Sequence, residues 1–188
     1  MSVDDEIARI DWARVQTYLG HAEMMPEALR RLVEATEDVE ATRLGAWIAR
    51  ILLSEAGPCE GCAPVAGVLV AALPVMTPAG HSAALDVLSL IAAAEISGPA
   101  HEQIGAVDAA EIRRAVAGGF PHYLAVLQSE SSPVADLYSC VDLLDVLAFH
   151  DRSLAPAAVA ALAAARPAIR DDDLATAIDN TLAELAGS

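Results

Sequence analysis

The stretches His21-Ala22-Glu23 and Pro58-Cys59-Glu60-Gly61-Cys62 together spell H-x-E…P-C-x-x-C. One His and two Cys in that pattern can hold zinc, and the Glu can shuttle the proton of the metal-bound water, the chemistry of hydrolytic nucleobase deamination. The string needs a context to do this. Each half must open a helix behind a core strand, and a sheet must build the substrate pocket. Only 20 residues precede His21, and they read as helix, as does 46–56 ahead of Pro58. The downstream chain lacks the period-2 alternation of strands. The leading expectation therefore places His21 and Glu23 in a turn before Pro26, and Cys59 and Cys62 in a loop, with no metal and no cofactor. A zinc-dependent nucleobase or nucleoside deaminase is the alternative, and a scaffold for self-assembly is a third reading.

Other motifs are weaker. Cys59 and Cys62 alone do not supply the four ligands of a closed zinc site, and Cys140 and the remaining His residues are distant in sequence. Two loop thiols are the simpler expectation, with a redox or metal role left open. Gly80-His81-Ser82-Ala83-Ala84 departs from the G-x-S-x-G nucleophile elbow at its last position, and Pro78 already starts a helix there instead of a strand and strained turn. His101-Glu102 does not complete H-E-x-x-H, because position 105 is Gly. No catalytic residue is assigned, and the chain reads as a non-enzyme.

Two stripes suit recognition better than catalysis. Arg43, Trp47 and Arg50 fall at i, i+4, i+7 on one helical face, beside the Leu/Ile face of the same segment. Tyr138, Asp142, Asp145 and Phe149 repeat that geometry on a later segment. Trp, Tyr and Arg are the side chains that most often anchor protein interfaces. Arg43, Trp47, Arg50, Tyr138, Asp142 and Asp145 are the predicted protein-binding residues. The competing use of Trp47 and Phe149 is to fill gaps between repeats.

The elements that must position these residues are helical. The chain has 188 residues, 55% hydrophobic but only 4% aromatic, so Ala, Leu, Val and Ile carry its apolar content and favour closely packed helices. Asp11 caps a predicted short helix through Leu19. Helices are then predicted over Pro26 to about Ala35 and Val39 to Ser54, and again over Ala63 to Leu73 and Pro78 to Ala94. After a longer connection comes Ala109 to Gln128, bent at Gly118-Gly119-Phe120-Pro121, followed by Pro133 to Phe149. Pro156 to Ala165 and Asp171 to Leu185 close the series, with Asp171-Asp172-Asp173 set against the last helix dipole. Helix pairs at a period of about 40 residues are the mark of HEAT or armadillo arrays. The predicted fold is all-α, a short HEAT/armadillo-like solenoid of about four helical pairs with an N-terminal capping helix, in a single domain over 1–188. The second helices of such an array line one groove.

The opening residues Trp12…Tyr18-Leu19-Gly20-His21-Ala22…Pro26-Glu27-Ala28-Leu29…Leu32 resemble those of bacterial HEAT-like repeat proteins. Gly57 and the apolar run Val65 to Leu73 continue the pattern. The resemblance spans most of the first 95 residues and implies the repeat fold. Some members resemble immunity or other protein-binding modules, which implies a protein partner.

Charge narrows the partner. The formal net charge is −16, from 11 Lys and Arg against 27 Asp and Glu. Nucleic-acid affinity rests on neutralising phosphates with basic groups, so no nucleic acid is expected, and a protein with a basic surface is. Mean hydropathy is +0.41, yet the longest uncharged run, Cys62 to Leu85, is interrupted by Pro64, Pro74 and Pro78. No membrane span is predicted, since one needs roughly 20 continuous apolar residues. The acidic N-terminus does not read as a signal peptide, and three Cys without an export signal read as reduced thiols. A cytoplasmic location is expected, and oligomeric state is left open.

Overall fold

The computed structural model describes residues 2–98 and 102–187. Helix makes up 69% and strand 4% of it, in ten helices, so the class is all-α. The chain divides into two compact units, Met1–Gly119 and Phe120–Ser188, where one repeat domain over 1–188 is the sequence expectation. His101 lies outside the described residues.

Unit 1 carries α1 (Val3–Ala8), the hairpin β1 (Gln16–Thr17) and β2 (Gly20–His21), α2 (Met25–Glu34) and α3 (Asp38–Leu52). A second hairpin follows at once, β3 (Leu53–Ser54) with β4 (Gly57–Pro58), then α4 (Cys62–Ala72), α5 (Pro78–Ala93) and α6 (Ala109–Ala117). Both hairpins are antiparallel, with Thr17 opposite Gly20 and Ser54 opposite Gly57. Helix α2 begins with Pro26 in its first turn, where a missing N–H costs nothing. Its Leu29 and Leu32 are fully buried. Thr77 caps α5 by accepting from the Gly80 N–H at 3.1 Å. The same hydroxyl donates to the Ala35 carbonyl, fastening the end of α2 to the start of α5. Helix α3 packs on α2 and α5, and α4 on α1, α5 and α6. The small side chains of α4 suit burial on several faces, and Val65, Ala66, Leu69 and Ala72 are fully enclosed.

Unit 2 carries α7 (Phe120–Gln128), α8 (Val134–His150), α9 (Ala155–Ala165) and α10 (Asp172–Ala186). Helix α7 packs on α8 and α9, α8 on α9 and α10, and α9 on α10. Its core includes Tyr123, Leu143, Leu144, Leu162, Leu174 and Ile178.

Two predicted elements are corrected. The helix from Asp11 to Leu19 does not form. The Trp12 indole N–H donates to the Ile7 carbonyl at 2.9 Å, which turns the chain back on α1. The β1–β2 hairpin follows, closed by Thr17 Oγ1 donating to the Gly20 carbonyl at 2.8 Å, with Gly20 at φ +104°. The Tyr18 N–H donates to the Ile51 carbonyl at 3.1 Å, and the Tyr18 hydroxyl to the Gly57 carbonyl at 3.1 Å. These long-range bonds outweigh the local helical pattern. The predicted bent helix over 109–128 is two helices, because Gly118 and Gly119 end α6 and Pro121 suits the first turn of α7.

Candidate functional site

Helices α2 and α3 are neighbours in sequence and pack side by side, turning Leu29, Leu32 and Ile48 inward. Their outer edges leave a hollow of about 310 Å³. Met24, Ala28, Leu44 and Trp47 give it apolar walls, and Glu27, Arg31 and Arg43 add charge. Met24 is 69% exposed. Trp47 is half-buried, and Arg43 is exposed. Arg31 donates to Glu40 Oε1 at 2.6 Å and is held by it, whereas no ion pair among the described residues engages Arg43. Arg50 is exposed but does not line the hollow. The predicted trio thus contributes Arg43 and Trp47, while Arg31 comes from α2 and Met24 from its N-cap. Those two were missed because their approach to Trp47 depends on how α2 and α3 pair.

In unit 2 the second predicted trio divides. The Tyr138 hydroxyl donates to Asp171 Oδ1 at 3.0 Å, and that oxygen also caps α10 by accepting from the Leu174 N–H at 2.9 Å. Tyr138 is therefore a strut between α8 and α10. Desolvation, with the Asp171 hydrogen bond next, pushes its hydroxyl up to about 12. Asp142 is exposed on α8. Asp145 joins Phe149, Arg152, Glu184 and Leu185 around a hollow of about 290 Å³. Phe149 is 64% exposed, with the Arg152 guanidinium 5.8 Å from its ring centroid, within cation–π range.

Desolvation raises the Asp145 carboxyl, and Glu184 and then Asp142 raise it further. A carboxyl whose folded value is raised costs stability at neutral pH, and the cost is relieved as pH falls through that raised value. Asp145→Asn is accordingly expected to raise the melting temperature at pH 7. The gain should shrink toward pH 3.8, the ordinary Asp value. Melting curves at both pH values check this, and a gain that grows on acidification reverses the assignment.

His21 and Glu23 are exposed at and just after β2, whereas Cys59 and Cys62 are fully buried at the start of α4. Among the described residues no group of three or more His, Cys, Asp or Glu stands close enough to hold a metal ion. Ser82 lies within α5, whose N-terminus carries Pro78. No helix among the described residues is long and apolar enough to cross a membrane. No protein-family model matches the chain, and comparisons with curated proteins and with solved structures return no match.

Proposed function

We propose that the chain is a HEAT-like, non-catalytic protein-binding module whose α2/α3 hollow receives an apolar side chain of a protein partner. The observation that carries this is the exposed Met24 beside half-buried Trp47, flanked by an uncommitted Arg43. A hollow of this size holds one large side chain, and Trp with Arg is the pairing that most often dominates interface energetics. The array reading is supported within each unit by adjacent second helices, α3 against α5 and α8 against α10.

The partner carries a mostly basic surface with an acidic group opposite Arg43. A net charge of −16 attracts such a surface over distance, and the local Arg selects the acidic contact. The same charge repels a second copy of the chain, which disfavours self-assembly. Neutralising a basic protein, in the manner of an immunity or antitoxin protein, is the role that fits this chemistry.

Selection from a displayed peptide library against the full chain tests the reading. Enriched peptides should share one large apolar residue next to Asp or Glu within a Lys/Arg-rich segment. Trp47→Ala should then weaken their binding by about 2 kcal/mol with little change in melting temperature. A sharp fall in melting temperature with affinity unchanged would make Trp47 a packing residue and remove the proposed site.

A further inference from the structure

The pair Cys59 and Cys62 stands apart from the α2/α3 hollow and poses its own question. Cys62 opens α4, Gly61 is the N-cap, and the Cys62 N–H donates to the Cys59 carbonyl at 3.1 Å. This turn is held from three sides. The Gly61 N–H donates to the Gln16 carbonyl at 3.2 Å, the Cys59 N–H to Leu52 at 2.9 Å, and the Glu60 N–H to Ile104 at 2.9 Å. A Cβ on Gly61 would meet Leu52 Cδ2 at 2.9 Å and Thr17 Cγ2 at 3.2 Å, so a larger residue there must displace the Leu52 side chain. The result is two free thiols three residues apart in one tight turn, each facing a carbonyl at the end of α3, Ile51 and Leu52.

We propose that Cys59 and Cys62 form a thiol–disulfide exchange couple, in which Cys59 attacks a small cationic disulfide that enters the hollow beside Glu60 and Cys62 resolves the product. The hollow, about 310 Å³, is lined by Cys59 itself. Glu60, Asp108 and Glu111 also line it, and among the described residues no basic side chain does. An anionic disulfide meets three carboxylates there, whereas a cationic one is drawn in.

The two sulfurs are unequal. Cys59 lines the hollow and Cys62 does not, and the neighbouring Cys62 side chain holds Cys59 below the usual thiol range against the opposing effect of burial. Cys62, raised by the adjacent Cys59 side chain and by burial, is held above it. The lower thiol is the better populated nucleophile.

Every atom of the exchange is accounted for. The Cys59 thiolate attacks one sulfur of RS–SR, a Cys59–S–S–R bond forms, and RS⁻ leaves. Cys62 gives its proton to a departing thiolate and attacks the Cys59 sulfur. The Cys59–Cys62 bond forms as the second RS⁻ leaves, so two protein thiols are oxidised and RS–SR is reduced to two RSH.

Oxidation leaves no carbonyl orphaned. The Cys59 thiol lies 3.9 Å from the Ile51 carbonyl and the Cys62 thiol 3.4 Å from that of Leu52. Each of those oxygens also accepts a backbone N–H, from Tyr18 and Cys59 respectively. Losing both S–H donors therefore strands neither oxygen. Cys59 is fully buried despite lining the hollow, so local loosening of the hollow's rim sets the rate. Cys140, buried within α8 and raised by desolvation, serves as an internal clock for deeper unfolding.

The test treats the reduced full chain at about pH 8 with cystamine or with the anionic dithiodiglycolate, followed by acid quench, alkylation and peptide mass analysis. Cystamine should produce the Cys59–Cys62 disulfide while Cys140 stays open to alkylation, at about tenfold the rate of the anionic reagent. Cys62→Ser should accumulate the mixed disulfide at Cys59. Reaction of Cys59 and Cys62 only in step with Cys140, or equal rates with the two reagents, overturns the proposal. The wild-type comparison decides the outcome even where Cys62→Ser fails to fold.

Discussion

Gly57→Ala is expected to destabilise unit 1 by about 3 kcal/mol, the sum of two separate costs. Gly57 sits at φ +116°, where an L side chain is strained, at roughly 1–2 kcal/mol. A Cβ there would also stand 2.5 Å from the Glu95 carbonyl oxygen and 3.1 Å from Ile96 Cα. Both are backbone atoms, so relief requires moving a chain segment, at roughly 1–3 kcal/mol. That segment is itself tied down. The Ser97 and Gly98 N–H groups donate to the Ala56 carbonyl at 3.3 and 3.2 Å, and Ser97 Oγ to Glu55 at 2.7 Å. Gly20 provides the control. Its φ is +104°, but nothing lies within 4 Å of an added Cβ, so Gly20→Ala carries only the backbone strain. Urea unfolding of the two variants should therefore separate them by the size of the clash. Equal midpoints would mean that residues 95–96 do not press on the hairpin.

Local signals in the sequence translated well into structure. Pro26, Pro78 and the Asp171 cap each sit where the helix start was expected, because a cap or a first-turn proline acts within a few residues. Trp12 and Tyr18 misled because their partners are not local helix neighbours. The Tyr18 hydroxyl reaches Gly57, 39 residues away, and spacing within 11–19 says nothing about that bond. The candidate site divides in the same way. Arg43 and Trp47 were legible from one helix's periodicity, whereas Met24 and Arg31 required knowing how α2 and α3 pair. Tyr138 had the right spacing to Asp142 and Asp145, but its hydrogen bond to Asp171, 33 residues on, makes it a strut. The C-x-x-C spacing was visible, while the burial of both thiols depends on the hairpin that did not read as one.

Gly80→Ala and Gly67→Ala should move stability in opposite directions, although helix propensity alone favours both changes. Gly80 lies in the first turn of α5, and its added Cβ would stand 2.2 Å from the Leu32 carbonyl oxygen and 3.1 Å from Thr77 Oγ1. The first is backbone at the end of α2, and the second is the hydroxyl that fastens α5 to Ala35. The expected loss is about 3 kcal/mol, at the upper end for overpacking because neither neighbour is a flexible tip. Gly67 lies in α4 with nothing within 4 Å of its added Cβ, so Ala there should gain about 0.5–1 kcal/mol by reducing the freedom of the unfolded chain. Denaturant midpoints of both variants against wild type measure the contrast. The Gly80 result also bears on the proposed docking hollow, since α2 supplies Ala28 and Arg31 to it and Met24 is the N-cap of that helix. Moving the end of α2 off α5 shifts that wall relative to Trp47, so folded Gly80→Ala protein should bind selected peptides more weakly, while Gly67→Ala should bind them as wild type does. Unchanged peptide affinity in both variants would mean that the hollow's shape does not depend on the Leu32–Gly80 contact.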